Sequence, residues 1–466
     1  MIKIDLKNIK QVLLINCMMI IAAGCSTDTE KSQEKKEGKL QLITLDPGHF
    51  HSALVQKSMY EDVDSVVHVY APEGQEVKSH LSLIDSYNMR VENPTSWNEK
   101  VHVGPDYLDK MFAEKAGNVV VIAGNNKMKT DYISKSVESG LNVLADKPMA
   151  IDLEGFNKLV KAFESAEKNK VLLYDIMTER YEINSMLQKE FAHLPAFGQL
   201  EKGTSENPSV TKVSVHHFFK NVSGKPLVRP AWFFDVKQQG EGITDITTHL
   251  VDLVQWECFP DQILDYKNDI EIVSAKRWAT SISAEQFEKV TQKKYYPEYL
   301  KSNVKDGMLS TYSNGEINYR LKGIHAKISV TWDFQAPEGT GDTHFSVMRG
   351  TNASVVIKQG KEQNFKPALY IEPIAKTDLK TFEKAIMADL KQLNKKYPGV
   401  ELKKIASGWE VIIPDSYKVS HEDHFAQVTK KYLEYVKKGG LPTWEVPNMI
   451  AKYYTTTKAR EVALGR

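Results

Sequence analysis

The sequence predicts an α/β fold: a doubly wound parallel sheet toward the N-terminus, then an α+β domain built on a large, mainly antiparallel sheet. Three observations carry this expectation. Between residues 40 and 174, short apolar runs that read as buried strands alternate with stretches of helical period, the grammar of a parallel sheet covered on both faces. Between 271 and 359 the grammar changes to longer strands with alternating side chains, and from 378 it turns mostly helical. A chain of 466 residues also has room for more than one domain. The expected organisation is a cleaved signal over 1–24, a tether over 25–39, a first domain over 40–176 and a second over 177–466.

Before the fold come Lys3, Lys7 and Lys10, an apolar run from 12 to 21, and the ending Ile21-Ala22-Ala23-Gly24-Cys25. This ending resembles a bacterial lipobox, which implies cleavage before Cys25 and lipid attachment to its sulfur. The expected location is therefore the cell envelope of a bacterium, exported and held to the membrane by the N-terminal lipid alone. Residues 26–39 are rich in Glu, Lys, Ser and Gln and read as a disordered tether.

Charge is nearly balanced, with 61 Lys plus Arg against 60 Asp plus Glu, so a nucleic-acid footprint is excluded and a small-molecule partner fits better. With Cys17 and Cys25 consumed by the signal, Cys258 stands alone in the mature fold. That rules out an intramolecular disulfide and a cysteine-based zinc site, and no metal ligands are assigned.

In chain order, residues 40–45 read as a strand, and Asp46-Pro47-Gly48-His49-Phe50-His51 turns from it into a helix. A strand, a glycine turn and a helix N-terminus make the usual phosphate cradle. Residues 66–69 form the second strand, ending in Tyr70-Ala71-Pro72-Glu73. From 74 to 117 the pattern is irregular apart from a helix near 107–115. Residues 119–123 form a buried strand ending at Gly124-Asn125-Asn126, and a helix over 130–139 stops at Gly140, which suits a C-cap. An apolar run from 141 breaks at Asp146-Lys147-Pro148, placing Lys147 at the carboxyl end of a strand, where open parallel sheets bind ligands. A helix opens at Asp152 with Phe156, Leu159, Val160 and Phe163 on one face, and a strand at 171–174 closes the alternation. In the second domain, 213–219 is a strand and 240–256 contains a helix. Tyr312-Ser313-Asn314-Gly315 reads as a hairpin turn, and 323–334 and 353–358 as further strands. A helix over 378–395, a strand over 408–413 and a helix over 421–438 complete it, and Leu441 starts a tail expected to return to the first domain.

The chemistry concentrates in GEGITDITTHLVDLVQW, residues 240–256. Asp245, His249 and Asp252 recur at helical spacing and are expected on one helix face, with Ile246, Leu250, Leu253 and Val254 on the other. An imidazole with a carboxylate one turn away makes an acid/base pair, and Gly240 and Gly242 leave backbone room for a ligand. Spacing alone favours a first-turn acid at Asp245 and a satisfied core histidine at His249; the stretch at Asp146-Lys147-Pro148 tips the reading toward chemistry.

Asp146-Lys147-Pro148 and Gly240 to Asp252 together resemble two motifs of the Gfo/Idh/MocA oxidoreductases: Glu-Lys-Pro, and Gly-Gly-x-x-x-Asp-x-x-x-His-x-x-Asp with Glu241 interrupting the glycines. The resemblance implies a Rossmann-like first domain that binds NAD or NADP, NAD being preferred. Lys147, His249 and Asp245 are then expected as the catalytic residues, with a sugar, glycoside or polyol as the carbohydrate substrate. Gly48, His49, His51, Glu73, Asn125, Asn126, Lys147 and Pro148 are expected at the cofactor. Trp232, Arg180 and Asp245 are expected at the substrate, Arg180 through the resemblance of Thr178-Glu179-Arg180-Tyr181 to an Asn-x-Arg-aromatic segment. Three departures stand out: only Gly48 of the phosphate-loop glycines is kept, Tyr70 replaces the ribose acid and leaves Glu73 displaced, and Gly124-Asn125-Asn126 replaces Thr-Pro-Asn. A protonated His49 or His51 is expected to offset phosphate charge there. Transient oxidation with recycled cofactor is one variant, and self-association into a homo-oligomer is left open. The competing reading is a carbohydrate-binding lipoprotein on the same fold that has lost redox chemistry.

Overall fold

The computed structural model describes residues 38–222 and 225–466, so the expected signal segment, Cys25 and all but the last residues of the tether lie outside the described part. The first half alternates β1 (Leu42–Leu45), α1 (His51–Val55), β2 (Val66–Ala71), α2 (Gln75–Met89), β3 (Asn98–Val103), α3 (Tyr107–Glu114), β4 (Val119–Ile122), α4 (Asn126–Glu138), β5 (Asn142–Asp146), α5 (Leu153–Asn169) and β6 (Leu173–Ile176). All pairings are parallel and the order is β3-β2-β1-β4-β5-β6, the doubly wound arrangement whose direction reverses between β1 and β4. Every residue of β1, β4 and β6 is buried, which is why these strands read as plain apolar runs.

Two elements contradict the irregular reading of 74–117. α2 buries only Val77, His80 and Ile84, so one of its three core positions is polar and the helical stripe is thin. β3 is an edge strand with largely exposed residues, so burial left little imprint on its sequence.

After α6 (Ile183–Ala192) come β7 (Val210–Phe219), the short pair β8 (Asn221–Val222) and β9 (Lys225–Pro226), α7 (Val236–Gln239), α8 (Thr247–Cys258), β10 (Ile270–Ser283) and α9 (Ala284–Thr291). Then follow β11 (Val304–Lys305), β12 (Met308–Leu321), β13 (Ile324–Gln335), β14 (Thr343–Arg349), β15 (Ala353–Lys358), β16 (Ala368–Pro373), α10 (Leu379–Leu393), β17 (Glu401–Ile405), β18 (Gly408–Ile412), α11 (His421–Lys438) and α12 (Glu445–Ala463). The large sheet runs β10-β12-β13-β7-β14-β15-β16-β18-β17, antiparallel except where β13 meets β7.

The expected turn at Asn314-Gly315 is corrected: β12 runs straight through it, and the reversal comes at Lys322-Gly323, both at positive φ. Asn314 works as a cross-strand bonding residue, its side chain donating to Trp278 O and accepting from Trp332 N. A Cβ on Gly315 would lie 2.6 Å from Ile243 Cβ, and one on Gly242 would lie 1.7 Å from Ser313 O. These glycines let the segment before α8 press backbone against backbone onto the sheet.

The C-terminal tail returns as expected. Met449 and Tyr453 of α12 share the hydrophobic core of the first sheet, and so do Phe425, Val428 and Tyr432 of α11, the helix expected to complete the second domain. Lys452, fully buried on α12, donates to Asp252 on α8 at 2.7 Å and lies 2.8 Å from Asp175 on β6.

Candidate active site

The site lies at the carboxyl ends of β1, β4 and β5, where the strand order reverses. Asp46 leaves β1 at φ 45, and its loop meets the β4 loop so closely that a Cβ on Gly124 would lie 2.2 Å from Asp46 O. Gly48 is pinned likewise: a Cβ there would meet Gly124 Cα at 3.2 Å and the Trp232 ring at 3.3 Å. Trp232 therefore packs against the turn after β1, and it is buried.

β5 delivers Asp146 and Lys147, with a cis peptide between Lys147 and Pro148. Lys147 Nζ donates to Asp245 Oδ1 at 2.6 Å in a buried ion pair spanning 98 residues of sequence. Gln239 Nε2 donates to the other oxygen, Asp245 Oδ2, at 2.9 Å. Asp245 sits in the turn before α8 rather than on the helix, and its two oxygens serve Lys147 and Gln239 instead of the His249 ring. Among the described residues, His249 Nδ1 is buried with no hydrogen-bond partner. Burial, then Lys147 and His421, push its pKa well below the usual histidine range, so the ring rests neutral.

The second acid of the motif does a different job. Asp252 accepts both Nε and Nη2 of Arg180 at 2.7 Å and also takes Lys452. Burial would raise this carboxyl, but Arg180 and Lys452 outweigh it and hold it well below the carboxylate range. The expectation of Arg180 at the substrate is corrected accordingly. Its guanidinium is buried between Asp252 and Glu445, with Glu445 accepting at 3.1 Å, so it braces α8 against α12.

Of the residues expected at the cofactor, Asn125 caps α4 and donates to Gln238 Oε1 at 2.8 Å, while Asn126 donates to Gln239 O at 2.7 Å. Asn126 Oδ1 is buried without a partner among the described residues. Glu73 is exposed beyond β2, whereas Tyr70 is buried and donates to Glu114 at 2.6 Å. His51 Nδ1 lies 3.0 Å from Asp146 Oδ2, and His49 Nδ1 lies 3.9 Å from the same oxygen. Burial is the largest cause pushing both histidines well below their usual pKa, so the expectation that a protonated ring offsets phosphate charge is corrected: both rest neutral.

A dinucleotide fits this cleft unevenly. The unpartnered Asn126 Oδ1 and His249 Nδ1 and the close-packed Gly48 suit the end beside Lys147. At the pyrophosphate end, His49 N is spent on Ala123 O and His51 N on the His49 ring, and the Asp46 carboxyl, accepting from Tyr132 at 2.8 Å, occupies the turn.

Several groups at the cleft escaped the sequence reading. Glu179, pushed up to about 7 by burial, feels Lys147 and Lys220. His421 reaches from α11 to Thr178 Oγ1 at 3.3 Å. Asp342 gathers His216, His217 and Lys220 at 3.2, 3.1 and 2.7 Å. The paired histidines of β7 were the one visible signal; the partners of the others lie far away in the chain.

Comparison with known proteins gives two family matches. Residues 48–174 match "Oxidoreductase family, NAD-binding Rossmann fold", the GFO_IDH_MocA model. Residues 187–464 match "Putative oxidoreductase C terminal domain". A crystal structure described as a "putative oxidoreductase" from Parabacteroides merdae ATCC 43184 is 55% identical, with 92% of this chain and 98% of that chain covered and a TM-score of 0.90. A levoglucosan dehydrogenase in complex with NADH and levoglucosan is 12% identical, over 91% of this chain and 98% of that one, with a TM-score of 0.56. A structure described as a "putative myo-inositol dehydrogenase" from Sinorhizobium meliloti 1021 is 13% identical, over 92% and 98%, with a TM-score of 0.54. At these last two identities the likeness is one of fold. No curated protein matches the chain.

Proposed function

Because the chain belongs to the Gfo/Idh/MocA oxidoreductases, we propose that it oxidises a hydroxyl of a sugar, glycoside or polyol with a nicotinamide dinucleotide held through the catalytic cycle. The observation that carries this reading is the buried Lys147–Asp245 pair at the end of β5, with a neutral His249 whose buried Nδ1 has no partner among the described residues.

His249 takes the hydroxyl proton, for which a neutral ring with a free nitrogen is the required state. Lys147 donates to the substrate oxygen and stabilises the charge that develops on it as the proton leaves. Asp245, steadied by Gln239, keeps the ammonium in place and charged. Trp232 offers an apolar ring face against which C–H bonds of a sugar can stack. Asn125, Asn126 and Gly48 would border the cofactor, and the displaced Glu73 would meet the ribose of NAD. When bound, the nicotinamide accepts the hydride. Export and lipid attachment at Cys25 complete the proposal. They favour a cofactor recycled within each turnover, because a free NAD pool is not maintained outside the cytoplasm.

A second reading, a binder without redox chemistry, draws on the spent amides and the Asp46 carboxyl at the phosphate turn. Calorimetric titration with NAD and NADP, oxidised and reduced, separates the two: saturable binding supports the enzyme, and no binding by folded protein supports the binder. Replacing Cys25 with Ser should release the protein from membranes; a membrane fraction unchanged by that substitution contradicts the anchor.

A further inference from the structure

We propose that His49, His51 and Asp146 form a binding site for a divalent transition-metal ion of the zinc class. The proposal is independent of the cofactor reading and rests on three side chains that the fold brings together from the turn after β1, the start of α1 and the end of β5. Their candidate ligand atoms all lie within 4.8 Å of one another. In a tetrahedral site with bonds of about 2.0–2.1 Å, ligand atoms stand about 3.3 Å apart. His51 Nδ1 and His49 Nδ1 lie 3.0 and 3.9 Å from Asp146 Oδ2, either side of that value; an incoming ion replaces the proton shared by His51 and Asp146 and takes the His49 Nδ1 lone pair that otherwise accepts from His51 N.

The donors are held in place. Their side chains are 16%, 12% and 6% exposed for His49, His51 and Asp146. The His51 ring packs against Phe425 at 4.6 Å and Phe50 at 4.5 Å. Ser52 Oγ donates to His49 O at 2.9 Å, and Lys129 Nζ to Asp146 O at 2.9 Å, a backing that fixes ligands before a metal arrives. The neighbouring Lys147 ammonium is already paired with Asp245, which reduces the repulsion an incoming cation meets. Two imidazoles and one carboxylate suit zinc and its neighbours rather than magnesium or calcium, which prefer all-oxygen shells. Three protein ligands leave a coordination position for an oxygen of a bound ligand, the arrangement of catalytic rather than structural zinc. The same loop that lost its phosphate-binding glycines thus gained a different means of meeting an oxygen ligand.

The test uses the full chain without a histidine tag, stripped with chelator and titrated calorimetrically with Zn²⁺ and, separately, Mg²⁺. The expected result is one saturable Zn²⁺ per chain that Mg²⁺ does not displace, and a Co²⁺ derivative with visible absorption of a low-coordinate site. His51→Ala and His49→Ala should each weaken Zn²⁺ binding by more than the roughly 10–100-fold typical of losing a mere outer-shell partner. His102→Ala, which removes a histidine elsewhere in the fold, should leave binding unchanged. Circular dichroism checks folding, and X-ray absorption of the wild-type zinc form, expected to show two imidazoles, stands in if a variant fails to fold. No saturable Zn²⁺ binding by folded wild type, undiminished binding in both histidine variants, or an absorption spectrum without imidazole overturns the proposal. Dinucleotide content, measured by mass spectrometry on the same sample, reads the cofactor proposal separately.

Discussion

Lys147 and His249 are the residues whose loss should slow turnover most. Each takes part in one proton-and-charge step, so Lys147→Ala or His249→Ala should lower kcat by about 10²–10⁴-fold. The double variant should be little worse than the worse single one, because groups acting as a unit are not additive. Steady-state kinetics with circular dichroism on the same samples checks this; wild-type turnover in either variant contradicts it. His80 makes a stability claim instead. It is 3% exposed, its Nδ1 lies 2.9 Å from Ser52 Oγ, and burial lowers its pKa to about 4. The unfolded chain takes up this proton near pH 6.5, so unfolding binds a proton between about 4 and 6.5 and stability falls as pH falls through that window. The contribution is of order 1.4 kcal/mol per pH unit at most. Urea melts from pH 4.5 to 8 should show a shallower decline for His80→Gln than for wild type; equal slopes contradict the assignment.

The segment before α8 is placed by its contact with β12. Gly242→Ala would drive a methyl group into Ser313 O, whereas a Cβ on Gly341 meets nothing within 4 Å. Gly242→Ala should therefore destabilise the fold by about 1–3 kcal/mol or more and displace Asp245, while Gly341→Ala changes neither melting temperature nor turnover. Equal behaviour of the two variants contradicts the packing. This contact also explains what the sequence made legible. The buried strands and the lysine ending β5 could be read because burial on both faces leaves an apolar run, and a charge that breaks one is conspicuous. Asn314-Gly315 misled because a local turn signal is indistinguishable from a glycine and an amide used for long-range approach. α2 was missed because His80 replaces an apolar residue in its stripe.

Across the whole molecule, Arg180, Asp252, Glu445, Lys452 and Asp175 tie β6, α8 and α12 into one buried network. Lys452 and Asp252 are separated by 200 residues, so nothing local announced the pair, and Arg180 read as a substrate residue when it is a brace. Lys452→Met leaves Asp175 and Asp252 short of a cation and should cost about 3–5 kcal/mol; chemical denaturation measures it, and a loss under about 1 kcal/mol would contradict the network's importance. The central claim is that this fold still works with a nicotinamide dinucleotide despite its altered phosphate turn. Native mass spectrometry of the chain, purified without denaturant and again after incubation with NAD, tests it most directly. One dinucleotide per chain, retained or readily taken up, is expected; a folded chain that carries none and acquires none overturns the assignment.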